Sequence, residues 1–359
     1  MTSLNITFDR VNSSGVVAAK LWIGTGSSVD PIGKKGIHHL AASLMTRGCG
    51  PYDNTEIANI IEGCGAGLRC DSYEDGILIS LKSTINDLTN LIPIIGWMVL
   101  NPHNDRDQFK LEKDLILQSL KRHKENPFQL AFEGWSQLAY PDGPYGHDPM
   151  GTIKDIQNIN RQDLLPISEN IKHHEINLVI SGCLTDVVEK RIYEIESIKT
   201  LEKNCMNKSI KENLMIKEIK NNLRYTITEQ EIEQVIIMIG KPTIPYCHND
   251  DLAMRLVSSH LGSGMSSILF KELRENNGLA YDVGIHYPVR ACPAPFLIHA
   301  STTKEKAEMS LEILNNCWSN VIENELKEEE LNLAKAKLKG LIAQNHQSFS
   351  IKIHLVVIK

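Results

Sequence analysis

Several features that place a protein in a common class are missing from this 359-residue sequence. It has no excess of basic residues, since the formal net charge is -6 and the pI is about 6.1, and this argues against a nucleic-acid-binding surface. The longest apolar runs, such as residues 91–100, are too short and too broken to cross a bilayer. The first residues, MTSLNITFDRVNSSG, lack the basic and apolar regions of a secretory signal. We therefore expect a cytoplasmic protein that binds neither a membrane nor a nucleic acid.

Cysteine motifs and phosphate-binding loops are missing as well. The eight cysteines are scattered and include no C-x-x-C pair, so we expect free thiols in a reducing cytosol rather than a zinc ribbon or a disulfide framework. The glycine-rich stretches at residues 24–26 and 262–264 lack the Lys-Ser/Thr that a P-loop requires. What remains is an ordinary globular composition, with 42% hydrophobic and 23% charged residues.

The order of the predicted elements occurs twice along the chain. The first half predicts a strand, two helices, two strands and two helices at residues 16–23, 36–45, 55–62, 68–73, 76–82, 85–100 and 105–124. The second half predicts the same order at residues 234–240, 249–261, 265–275, 279–287, 296–302, 304–323 and 327–344. We interpret this as an internal duplication, the alternative being a chance likeness between two α+β domains. With a further strand predicted at 176–181, we expect an N-terminal domain at 1–195, a charged linker at 196–223 and a C-terminal domain at 224–359.

One segment carries a specific resemblance. Residues 36–48, GIHHLAASLMTRG, are similar to the first helix of the pitrilysin/insulinase family of zinc metallopeptidases, whose active members read G-x-x-H-x-x-E-H there. The two histidines hold zinc from one helix face, and the glutamate takes a proton from the metal-bound water. On this alignment His39 keeps the first ligand, whereas Ala42 replaces the glutamate and Ser43 replaces the second histidine.

The resemblance also implies a third ligand on a later helix, a glutamate seven residues after another glutamate. Glu112 matches the first of these, but Ser119 stands at the ligand position. We therefore expect a vestigial site with no metal and no peptidase activity of its own, because one imidazole holds zinc weakly and alanine cannot act as a base. The spacing gives no support for other histidines as replacements, namely His38, His147, His173 and His174. An active zinc endopeptidase with unconventional ligands is the least favoured alternative.

A second signature lies in the C-terminal half. Residues 263–281, SGMSSILFKELRENNGLAY, resemble the S-x-R-L-F-x-x-L-R-E-x-x-G-L-A-Y run of the same family, with Ile268 where many members have arginine. The resemblance implies that Arg274 and Tyr281 bind substrate and support the transition state, since a guanidinium and a phenol both donate hydrogen bonds to a developing oxyanion. The alternative is that Arg274 pairs with a neighbouring glutamate and that Tyr281 is a half-buried strand aromatic.

The resemblance spans residues 16–350 and implies an α+β fold of two homologous domains. Each would be an antiparallel sheet covered by helices on one face, and together they would form one half of a clamshell. As in the mitochondrial-processing-peptidase-like branch, it implies a non-catalytic subunit that helps bind peptide within a heterodimer, with zinc only in a paralogous catalytic partner subunit. The alternative is a structural homologue, like the family's inactive core subunits of respiratory complexes. Residues 351–359, IKIHLVVIK, match nothing in the family and suggest a truncated or frame-shifted end.

Overall fold

The computed structural model describes residues 4–12, 15–141, 143–207 and 225–347, without the side chains of 205–207 and 345–347. The unusual stretch 351–359 lies outside the described residues. The strands are β1 (Leu4–Arg10), β2 (Val16–Ile23), β3 (Gly48–Cys49), β4 (Tyr52–Asp53), β5 (Gly67–Ser72), β6 (Ile77–Thr84), β7 (Ile176–Gly182), β8 (Gln234–Pro242), β9 (Asp282–His286) and β10 (Pro295–Thr303). The helices are α1 (Ile37–Met45), α2 (Asn54–Gly63), α3 (Ile85–Leu100), α4 (Arg106–His123), α5 (Pro127–Ala139), α6 (Ile153–Asn158), α7 (Leu164–Ile171), α8 (Asp186–Glu194), α9 (Glu196–Asn207), α10 (Asp251–Gly262), α11 (Ile268–Phe270), α12 (Ala307–Glu323) and α13 (Glu328–Gln347). Among these described helices, none is both long enough and apolar enough to cross a bilayer.

The described chain forms two compact units. Unit 1 contains residues 4–121, 147–207 and 346–347, and unit 2 contains residues 122–146 and 225–345. Helix α5 therefore lies in unit 2, although the sequence analysis placed it inside an N-terminal domain at 1–195. Residues 196–207, expected to begin a linker, form α9, whose Ile198 and Leu201 are buried in the core of unit 1.

Unit 1 is built on a five-stranded sheet with the order β1-β7-β2-β6-β5. Alternate residues of β2, among them Val17 and Leu21, join one apolar core with residues of α1 and α3, as the period of a strand requires. The sheet is antiparallel except that β1 pairs with β7 in parallel. β1 was not predicted, and its parallel pairing is a difference from the antiparallel sheet that the sequence implied.

Local interactions determine where the helices of unit 1 begin and how one of them packs. Helix α1 begins after Gly36, whose φ of 92° and close approach to the Met150 carbonyl leave no room for a side chain. Helix α2 begins with a capping box, in which Asp53 and Glu56 each accept the other's backbone N–H. Helix α9 packs on α3, where the Ser197 hydroxyl donates to the carbonyl of Pro93 at 3.1 Å.

Unit 2 repeats part of this plan in an antiparallel sheet with the order β8-β10-β9. In each unit the third of three successive strands lies between the other two, giving the orders β2-β6-β5 and β8-β10-β9. The predicted α+β fold with two related domains is therefore confirmed. Phe296 and Ile298 alternate toward the core under α10 and α12, but Leu297 packs with Trp135 of α5 on the opposite face. The sheet is thus covered on both faces, and not on one face as predicted, because β10 is apolar on both sides.

Candidate functional site

Unit 1 contains a cleft of about 400 Å³ between α1, α2 and β5. Ser43, Thr46 and Arg47 line it from the end of the motif helix and the turn after it, and Glu112 lines it from α4. Residues 68–71 of β5 line the other side. Within the described residues β5 pairs only with β6, so its second edge has no strand partner. The cleft therefore joins the remains of the motif to an edge strand.

The structure brings together only some of the vestigial motif residues. Ser43 and Glu112 line the same cleft, whereas His39 and Ser119 are not among the described residues that line it. Ser119 lies seven positions beyond Glu112 on α4, which is about 10 Å along a helix axis. Ala42 is 1% exposed and belongs to the apolar core of unit 1. The Ser43 hydroxyl donates to the His39 carbonyl at 3.0 Å, so it is satisfied within α1.

An ion pair in the cleft was missed by the sequence analysis. The Nε of Arg47 donates to Oε1 of Glu112 at 2.6 Å, and its Nη2 lies 2.6 Å from the same oxygen. The Glu112 side chain is 9% exposed and the Arg47 side chain 35% exposed. Arg47 stands at the end of the motif segment, but its partner lies 65 residues later. Only the fold reveals the pair.

A second buried cluster surrounds Asp30, outside the cleft. The Asp30 carboxylate has no exposed surface and contacts Nδ1 of His38 at 2.7 Å, Nε2 of His147 at 3.3 Å and the Gly36 N–H at 2.5 Å. Burial raises the pKa of Asp30, but hydrogen bonds with His147, His38 and Gly36 outweigh it and hold the pKa below its usual value. Thr25 lies 3.4 Å from the other nitrogen of His38 but is 3% exposed. A substrate cannot reach this hydroxyl, imidazole and carboxylate, so we assign the cluster a structural role.

The residues present do not fit a zinc ion. His39 has a buried Nδ1 without a hydrogen-bond partner, and burial lowers its pKa against the opposing charges of nearby aspartates, which favours a neutral imidazole. Of the other motif positions, Ala42 offers no donor, Ser43 is bound to the backbone and Glu112 is held by Arg47. Across the described residues, no three His, Cys, Asp or Glu side chains are placed to hold a metal.

The other histidines do not complete the site. His38 and His147 are both held at Asp30. His173 lies 3.8 Å from Glu169. His174 is 4% exposed, and burial, with smaller contributions from His38 and His173, lowers its pKa to about 4.

In unit 2, Arg274 and Tyr281 are both exposed. Arg274 lies on the π-helical turn Lys271–Glu275 that follows α11, and its guanidinium lies 5.1 Å from the ring centroid of Phe270. Glu272 accepts a hydrogen bond from Asn276, and among the described residues no ion pair of Arg274 is recorded. Tyr281 directly precedes β9 and is 67% exposed. Both side chains are therefore open to an external acceptor.

Family models match both halves of the chain. Residues 9–153 match the family described as Insulinase (Peptidase family M16), and residues 172–338 match the Peptidase M16 inactive domain. An uncharacterized zinc protease of Rickettsia bellii is 24% identical over 354 residues, covering 98% of this chain and 83% of the relative.

Solved structures show the same fold. A peptidase M16 inactive domain from Pseudomonas fluorescens has a TM-score of 0.85 at 23% identity, covering 95% of this chain and 83% of that one. A chain of Complex III2 from Candida albicans has a TM-score of 0.80 at 12% identity, covering 100% and 84%. The two family matches together span most of the sequence, and the chain belongs to the M16 (insulinase) family of peptidases.

Proposed function

We propose that this chain is a non-catalytic subunit that binds peptide for a paralogous zinc-bearing partner in a heterodimer. The observation that supports the proposal is the cleft beside the unpaired edge of β5, where no described residues form a zinc-binding set, and we assign this cleft to an extended peptide. A peptide adds to an exposed sheet edge through main-chain hydrogen bonds and places alternate side chains in neighbouring pockets. Zinc and the general base then come from the partner subunit.

Arg274 and Tyr281 are the proposed donors to the shared substrate. Their exposure supports this role, because neither side chain has its donors buried in the unit. The proposed compartment is the cytoplasm. The seven cysteines whose side chains the structure describes are free thiols, which supports this proposal.

A second candidate function is a structural one. The likeness to a chain of Complex III2 favours it, since that protein carries a similar fold within a larger assembly. A scaffold needs neither an accessible cleft nor exposed donors. The two proposals therefore differ in whether the chain binds peptide.

The proposal is tested with the purified chain alone and with its paralogous partner, measuring zinc content, peptide binding by fluorescence anisotropy and peptide cleavage. We expect binding without zinc or cleavage for the chain alone, and cleavage for the pair. Peptides N-methylated at alternate residues separate the modes of binding: one alternation should abolish binding and the other preserve it, as strand addition requires. About one zinc per chain after dialysis, or no peptide binding, would contradict the proposal.

Replacement of the exposed donors tests their part in the reaction. We expect Arg274→Ala and Tyr281→Phe each to lower turnover of the pair by about a hundredfold, because one lost oxyanion donor costs on the order of 3 kcal/mol. Affinity between the subunits should not change, and size-exclusion chromatography checks this. Full turnover by the doubly substituted pair would favour the structural function.

A further inference from the structure

We propose that Arg47 anchors a backbone carbonyl oxygen of the bound peptide, while Glu112 holds its guanidinium in place in the cleft. The inference rests on the proposed function, since it names the residue in the cleft that holds the peptide. It gives a role to a cation that stands beside the vestigial metal position.

The position of Arg47 makes it accessible from one side. It follows the last turn of α1 and lines the cleft opposite residues 68–71 of β5. Its side chain is 35% exposed, whereas that of Glu112 is 9% exposed. One side of the guanidinium therefore contacts a buried carboxylate, and the rest meets the open volume of the cleft.

The donors of Arg47 are only partly used. A guanidinium carries five N–H donors in a planar fork. Its Nε and Nη2 both approach a single oxygen, Oε1 of Glu112. No other described residue accepts a recorded hydrogen bond from Arg47, so donors on Nη1 and Nη2 are available to a ligand.

The charges around the cleft select the acceptor. Glu112 neutralises Arg47, and the Arg69 side chain lies 3.1 Å from Asp71. Glu62 adds a further carboxylate to the lining. A carboxylate ligand would meet this excess of negative charge, whereas a peptide carbonyl is neutral and accepts two N–H donors through its two lone pairs. The chemistry therefore favours a main-chain carbonyl over an acidic side chain.

The missing base accounts for binding without cleavage. A guanidinium already shared with a carboxylate holds a carbonyl oxygen, but hydrolysis needs a base to activate water as well. Ala42 occupies the position where active relatives carry that base, and it is buried in the core. The peptide is held and its amide bond stays intact.

The test is a paired replacement, because Arg47→Met alone would leave Glu112 buried and unpaired. We expect Arg47→Met/Glu112→Met to keep a cooperative thermal transition and to weaken peptide affinity about tenfold to a hundredfold. The matched control is Arg10→Met/Glu189→Met, which removes an ion pair with the same 2.6 Å Nε–Oε1 contact at an exposed site of unit 1. It should leave affinity unchanged.

A peptide series identifies the acceptor. In this series each peptide amide is replaced in turn by a thioamide, whose sulfur is a weaker acceptor than oxygen. Replacement at one position should reduce the affinity of the peptide for the wild type and have no effect on its affinity for Arg47→Met/Glu112→Met. If the wild type binds peptide and Arg47→Met/Glu112→Met binds it equally well, this inference is overturned and the proposed function is not. An affinity loss that follows a peptide Glu→Gln change would overturn it in favour of a carboxylate ligand. No binding by the wild type would overturn the proposed function together with the inference.

Discussion

Asp30 illustrates how one residue organises the start of α1. Its carboxylate contacts two imidazoles and accepts from a backbone N–H; Gly36 and His38 come from the start of the motif segment, and His147 comes from much later in the chain. The arrangement directs His38 away from the cleft, although His38 and His39 are neighbours in sequence. A histidine next to a metal motif is here a structural residue.

We expect Asp30→Asn to lower the free energy of unfolding by about 3 kcal/mol or more, because it breaks a buried charged network. The pKa of Asp30 is depressed in the folded state, so its contribution is complete above its ordinary value of 3.8 and is lost as pH falls through the lower folded-state pKa. Urea unfolding measures the change. Asp186→Asn, at an ion pair whose aspartate is 76% exposed, is the control and should cost less than 1 kcal/mol. Equal costs at both sites would contradict the structural role of Asp30.

At the scale of the element, α5 covers two half-buried histidines of the unit 2 sheet. The Phe132 ring lies 5.2 Å from the ring of His286, and the Phe128 ring lies 5.0 Å from that of His299. His286 Nε2 and His299 Nδ1 are buried and have no hydrogen-bond partner. Burial is the main cause that lowers the pKa of both histidines. Together with smaller effects of Arg290 and His299 it brings the pKa of His286 to about 4, while Asp282 opposes the effect at His299.

The helix should therefore bind its sheet less well in acid. Both pKa values are depressed, so the contribution of the neutral rings to the free energy of unfolding is complete above the ordinary value of 6.5. It is lost as pH falls through the lower folded-state pKa values, which is about 4 for His286. We expect His286→Phe/His299→Phe to flatten the fall in melting temperature over this range. His248→Phe, at an exposed histidine, should not. An unchanged pH profile in the paired variant would show that acid sensitivity arises elsewhere.

The elements that the sequence predicts well are those with local signals. The alternation in β2 and the apolar stretch of α3 fixed both ranges to the residue, since periodicity and turn residues mark their ends. Partners were not predictable in this way. The spacing of apolar residues in α5 shows that one face of the helix is buried, but not which sheet buries it. Likewise Asp30 contacts His147, which lies 117 residues away in the sequence. Arg47 and Glu112 both belong to the motif segments, but only the fold shows that they form an ion pair.

For the whole molecule, the position of α5 determines which fragments are stable. A fragment of residues 224–359 contains every strand of the unit 2 sheet but lacks the helix that covers Leu297. We expect it to melt less cooperatively than unit 2 in the intact chain, and a peptide of residues 122–146 added in trans to restore the transition. Circular dichroism melts measure both. A fragment as stable alone as with the peptide would show that α5 contributes little to the unit.

The path of the chain also has a consequence for proteolysis. Within the described residues the backbone passes from one unit to the other after residues 121, 146 and 345, and it passes once more between residues 207 and 225. A protease site inserted between Asn207 and Tyr225 would leave α5 on the N-terminal piece, although it packs against the sheet of the C-terminal piece. The nicked protein should therefore migrate as one species on a native gel and as two bands in denaturant. The two pieces would then act as a fragment-complementation pair, whose reassembly can be followed without any added tag.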